Sequence, residues 1–142
     1  MSDSRATTTL PGYSIVITGA PYTSQAPATA FAFCQALTDT GHVVERVFLY
    51  GDGVILASAL NTPPSDEADW TARWQGLLAR HRVPAVACIA SALRRGLLSE
   101  QEARRYGRPA ANLADGFTLA GLGEWVEALA ASDRVIHFHG GH

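Results

Sequence analysis

Apolar positions along the chain fall into five short runs, separated by longer stretches in which apolar residues recur every three or four positions. The runs are YSIVITG (13–19), VVERVFLY (43–50), VPAVACIA (83–90), FTLA (117–120) and RVIHF (134–138). Rich in β-branched and aromatic residues and too short for helices, they predict strands. The intervening PATAFAFCQALTDTG (27–41) spaces its apolar residues at helical intervals and stops at Gly41. SDEADWTARWQGLLARHR (65–82) places Trp70, Trp74, Leu77 and Leu78 on one stripe, with Asp66 as the expected cap. SEQEARRYG (99–107) opens with Ser99 and Glu102 at capping-box spacing. GLGEWVEALAAS (121–132) carries Leu122, Trp125, Val126 and Leu129 on one side.

The resulting order is βαβαβαβαβ. Strands that are apolar on both faces and joined by helices predict a mostly parallel five-stranded sheet covered on both sides. Right-handed crossovers then give a single doubly wound α/β domain, a three-layer, Rossmann-like arrangement over 12–139. Residues 1–11 read as a disordered leader and 140–142 as a tail. Chemistry in such sheets gathers at the carboxyl ends of strands, here the loops 19–26, 51–64 and 89–98.

Composition narrows the function. The 142 residues are 47% apolar and 17% charged, with a net charge of −2, which argues against a general nucleic-acid surface. All eleven basic residues are arginine, so Schiff-base chemistry and a phosphate-binding P-loop lysine are excluded. No run approaches the roughly 18 apolar residues of a membrane span, and residues 1–11 lack a signal-peptide core. A cytoplasmic protein with reduced thiols is expected. Its two cysteines, Cys34 and Cys88, are too far apart in sequence for a CxxC pair and too few for a disulfide framework.

Cofactor motifs are weak. GLGEWV follows a strand and opens a helix, but Val126 stands where a dinucleotide fingerprint needs Gly or Ala, and no acidic residue ends the next strand. Gly121 and Gly123 read better as a tight turn. TGAPYTSQ has no GK[ST]. His137 and His139 share a strand face, yet the third histidine, His142, is the last residue, so no metal site is assigned. No cofactor is expected.

Cys34 lies mid-helix beside Phe33 and Leu37 and reads as a small core hydrophobe. Cys88 is the open case. Its strand is apolar on both sides, so alternation does not say which way it points, and by residue type alone core filling is the commoner fate. Three features favour chemistry. It lies near the carboxyl end of an expected central strand. Its neighbours Ala87, Ala90, Ser91 and Ala92 are small. Arg94 and Arg95 follow closely and could stabilise a thiolate, although a solvated loop explains the pair equally well.

Together, YSIVITGAPYTSQAPATAFAFCQAL, GHVVERVFLYGDGV, LNTPPSDE, CIASALRRGLLSEQEA and GFTLAGLGEWVEALAASDRVIHF make the chain resemble the DsrE/TusD family from about residue 13 to 138. The most specific element is the cysteine followed by small residues and R-R-G, here Cys88 to Gly96. The resemblance implies a DsrE-like fold and a sulfur-relay subunit whose cysteine, Cys88, carries a persulfide without metal or cofactor. It implies a heterohexamer with TusB- and TusC-like (DsrH- and DsrF-like) paralogues, a TusA-like donor and a TusE- or DsrC-like acceptor. The pathway would be tRNA wobble 2-thiouridine synthesis, with dissimilatory sulfur oxidation or a non-catalytic scaffold subunit as alternatives. Arg94 and Arg95, with Tyr22 and Gln25 from the loop after the first strand, are expected around the persulfide or a docked partner. Direct nucleic-acid binding by this subunit is not expected.

Overall fold

The apolar runs do become strands, all parallel. In the computed structural model, which describes residues 10–140, they are β1 (Gly12–Ile17), β2 (Val43–Leu49), β3 (Ala85–Cys88), β4 (Phe117–Ala120) and β5 (Arg134–Phe138). The sheet order is β4-β3-β2-β1-β5. The expected leader and tail lie almost wholly outside the described residues. No helix among the described residues is long and apolar enough to cross a membrane.

The order explains the layering. From β1 to β4 the chain steps across the sheet in one direction, then returns past β1 to place β5. Right-handed crossovers therefore put the early helices on one face and the last helix on the other. On the first face α1 (Ala26–Asp39) and α2 (Trp70–His81) pack on Ile15, Ile17, Val47, Leu49, Ala85 and Ala87 to form the main core. Trp74 is fully buried there, and its Nε1 donates to Pro27 O at 3.1 Å. Burying a tryptophan without that acceptor would leave a costly orphan donor. The opposite face carries Val16, Phe48 and Val86, and among the described residues the helix over it is α5 (Leu122–Ala130). Trp125 reaches down to stand edge-on to Phe48 and stack on Tyr50, but no residue of α5 is buried.

Several local expectations change. The cap of α2 is Asp69, whose side chain accepts from Ala72 N at 3.1 Å, not Asp66. The helix starts at Trp70, later than its polar prelude suggests, because the cap must sit one residue before the first turn. The middle strand is β2, and β3 lies between it and the edge strand β4. The loops expected over 51–64 and 89–98 contain a 3-10 helix (Gly51–Ala57) and a short helix α3 (Ile89–Arg94). Helix α4 (Glu100–Arg105) follows, with Ser99 Oγ accepting from Glu102 N at 3.2 Å, as its sequence predicts.

Candidate functional site

Cys88 occupies a junction. It is the last residue of β3 and the residue that caps the start of α3. Its backbone is extended (φ −60°, ψ 121°) while the next residue is already helical. No loop intervenes, so the thiol position is fixed by the sheet on one side and by the first turn of a helix on the other. By strand alternation Cys88 shares the less covered sheet face with Val86, and its register partner is Ala120 on β4. The small residues around it leave the side chain half-buried rather than sealed.

The surroundings act on the thiol in opposed directions. Partial burial pushes its pKa up. The Ser91 hydroxyl and the backbone N–H groups of Ser91 and Ala90 at the start of α3, together with the positive charge of Arg94, outweigh that and hold it below the ordinary range. All four favour the thiolate, the nucleophilic form. Ser91 is itself buried and positioned: its Oγ accepts from Gly51 N at 3.1 Å, which leaves its own proton uncommitted by that bond. Gly51 takes φ +56°, and a Cβ on Gly53 would collide with the Ile17 carbonyl. The two glycines thus let the 3-10 helix approach closely enough for the Gly51 N–H to reach Ser91.

The residues expected around Cys88 separate into three sets. Arg94, exposed at the end of α3, lends its charge to the thiol. Arg95 is committed elsewhere: its Nε donates to Asp52 Oδ1 at 2.9 Å and its Nη1 to Ser91 O at 3.0 Å, strapping α3 to the 3-10 helix. Tyr22 and Gln25 are brought together with each other, at a hollow of about 280 Å³ that also takes in Ser24 and Trp70 but not Cys88. The Tyr22 hydroxyl donates to Ala68 O at 2.8 Å and accepts from Trp70 N at 3.1 Å, pinning the loop after β1 to the start of α2. Sequence reading counted Ser91 only as a small neighbour. Its signal was its place three residues after the cysteine, visible only once α3 is known to begin at residue 89.

The other sulfur and imidazole groups behave differently. Cys34 is fully buried, and burial pushes its thiol up to about 12. The His137 and His139 rings lie tilted with centroids 4.0 Å apart, and His137 Nε2 lies 3.0 Å from Thr18 Oγ1. Partial burial, then the neighbouring His139, lowers the His137 pKa. No group of three or more potential metal ligands occurs among the described residues, and His142 lies outside them.

Comparison with known proteins places this geometry. Residues 12–138 match the model of the DsrE/DsrF-like family. The chain is 46% identical over 126 residues to a protein named sulfurtransferase TusD homolog of Vibrio parahaemolyticus, covering 89% of this chain and 96% of that one. It is 47% identical over 126 residues to sulfurtransferase TusD of Salmonella newport, at 89% and 98% coverage. It is 46% identical to sulfurtransferase TusD of Erwinia tasmaniensis, with the same coverages. Among solved structures the ychN protein of E. coli superposes with a TM-score of 0.72 at 22% identity, over 91% of this chain and all of that one, a likeness of fold. A strand-end cysteine on this five-stranded sheet, a family match spanning the whole sheet and near-full-length relatives agree: the chain belongs to the DsrE/DsrF-like family, alongside its TusD-type sulfurtransferases.

Proposed function

We propose that this protein is a sulfur carrier in which Cys88 receives sulfane sulfur as a persulfide and passes it to an acceptor protein. In loading, the Cys88 thiolate attacks the outer sulfur of a donor persulfide. A new S–S bond forms at Cys88, the donor's S–S bond breaks, and the donor leaves as a thiolate. In unloading, an acceptor thiolate attacks the outer sulfur of the Cys88 persulfide and Cys88 leaves as the thiolate. Each step is an exchange with no net oxidation, so it requires only a thiolate, access and a good leaving group. The pKa-lowering environment helps twice, raising the attacking fraction in loading and improving the leaving group in unloading.

The observation that carries this reading is the half-exposed Cys88 thiol at the β3–α3 junction, with Ser91 and Arg94 favouring its ionised form. It speaks against a purely scaffolding subunit, which has no use for a tuned thiol. Near-full-length likeness to TusD proteins favours the TusD-type pathway, ending in 2-thiouridine at the tRNA wobble position, over dissimilatory sulfur oxidation. In that setting the protein works in the cytoplasm with TusB- and TusC-like subunits in a heterohexamer, a TusA-like donor and a TusE-like acceptor. The test is mass mapping after incubation with a persulfide donor. The Cys88-containing peptide should gain the mass of one sulfur atom, reversed by a reducing thiol. Full loading of Cys88→Ser protein would overturn the proposal.

A further inference from the structure

A wide groove does not hold Cys88 but is lined in part by the far end of the short helix that Cys88 caps. The groove, of about 850 Å³, runs from the end of α3 along the chain that follows α4. Its apolar walls are Leu60, Leu93, Leu98 and Tyr106, and its two charged lining residues are Arg94 and Arg108. Leu60 is 71% exposed and Tyr106 50% exposed. An apolar patch rimmed by charge marks an interaction surface more often than an accident of folding.

The groove is preformed. Asn112 fastens its floor: the side chain donates to Gly96 O at 3.0 Å and accepts from Leu98 N at 2.8 Å. The Asn112 backbone donates to Leu98 O at 3.0 Å and accepts from Ala59 N at 2.7 Å. One residue thus joins the segments carrying Leu60, Leu98 and Arg108, so an occupant need not order the site when it binds. No acidic side chain lines the groove, and among the described residues neither Arg94 nor Arg108 forms a salt bridge. The groove therefore offers apolar walls and two unneutralised guanidinium groups. Nucleic acid is a poor match, since its phosphates call for a longer basic track and the chain carries a net charge of −2.

We infer that the groove docks an extended acidic segment of a partner protein, with apolar side chains between Leu60 and Tyr106 and carboxylates on Arg94 and Arg108. The inference rests on the carrier reading above and names what engages the same site. Arg94 belongs to both places, lining the groove and lending its charge to Cys88. Leu93 and Cys88 are separated by one short helix, a rise of about 8 Å at about 1.5 Å per residue. An extended chain covers that in about three residues. A partner cysteine about three residues from its apolar anchor therefore reaches the Cys88 persulfide. Its thiolate takes the outer sulfur, the S–S bond to Cys88 breaks, and the Cys88 thiolate leaves.

The probe is a fluorescein-labelled peptide, Glu-Leu-Glu-Leu-Gly-Gly-Cys, followed by fluorescence anisotropy on the full chain. Controls replace Glu by Lys or Leu by Ser, and phosphatidylglycerol vesicles test a lipid surface. The Glu-Leu peptide should bind at least tenfold more tightly than either control peptide. Leu60→Asp and Arg108→Glu should each weaken it at least fivefold. Both positions are exposed, so both variants should fold. Cys88→Ser should bind unchanged, which separates docking from sulfur chemistry. In single-turnover transfer from loaded protein, both groove variants should slow delivery to the peptide at least fivefold and leave delivery to dithiothreitol within twofold of wild type. Equal binding of acidic and basic peptides, wild-type binding by both groove variants, or capture of the protein by vesicles but not by the Glu-Leu peptide would overturn the inference. Failure of Cys88 to load, with peptide binding intact, would instead overturn the carrier reading alone.

Discussion

The two cysteines sit in one domain and have opposite fates. Cys34 lies in the middle of α1, against the fully covered sheet face, and burial alone sets its behaviour by pushing its thiol up to about 12. Cys88 lies where a strand turns directly into a helix, on the face that among the described residues carries the loosely seated α5. There burial is partial, and Ser91, two backbone N–H groups and Arg94 reverse its effect. The difference comes from the junction: the end of a strand offers access, and the first turn of a helix offers donors that have no partner within the helix. The sealed layer holds the thiol inert, and the junction makes it usable.

The largest effect that would sharpen this comparison is on sulfur loading itself. Cys88→Ser should reduce loading to background, whereas Cys34→Ala should load as wild type, both read by intact-protein mass. The converse holds for stability. Cys34→Ser places an extra hydroxyl in the sealed core and should cost about 1–3 kcal/mol in denaturant unfolding, while Cys88→Ser should cost much less.

Ser91→Ala comes next. It removes one donor from the sulfur and leaves Gly51 N without its acceptor. Thiolate fraction rises with pH through the thiol pKa, so a higher pKa moves the half-maximal point of loading to higher pH. Near neutral pH the loading rate of the variant should fall about fivefold or more, with recovery in alkaline buffer. Arg94→Gln should move the profile the same way by a smaller amount, since Arg94 is exposed and the last of the contributors. Added salt should shrink the gap between wild type and this variant. Smallest of all is Arg95→Ala. Its ion pair with Asp52 is largely exposed, so the loss should stay near or below about 1 kcal/mol. The pH profile of loading should not move, because Arg95 does not act on the thiol.

What was legible in the sequence divides along similar lines. The five strands could be read from their apolar runs and three longer helices from a sustained period, while the six-residue α4 was read from its Ser99–Glu102 cap spacing; β4 and β5 match their apolar runs residue for residue. The sealed fate of Cys34 followed from its place on the α1 stripe. The helix IASALR was not legible, since six residues give too few turns for periodicity, and its apolar start continues the strand before it. Hidden with it were the role of Ser91 and the split between Arg94 and Arg95, which depend on helical phase and on the approach of the 3-10 helix. Tyr22 and Gln25 were expected near the cysteine because all carboxyl-end loops face the same way. Their loop follows β1, two strands away from β3, and the Tyr22 hydroxyl fastens it to α2.

The central claim is that Cys88 in the folded protein is an accessible thiolate at lower pH than an ordinary cysteine, and Cys34 is not accessible at all. The direct measurement is the pH dependence of iodoacetamide modification of the native protein, quantified at each cysteine by peptide mass. The account predicts that Cys88 reaches half its maximal rate below the pH at which free cysteine does, with Cys34 unmodified until denaturant is added. A Cys88 profile at or above that of free cysteine, or equal modification of both residues in the native state, would contradict it.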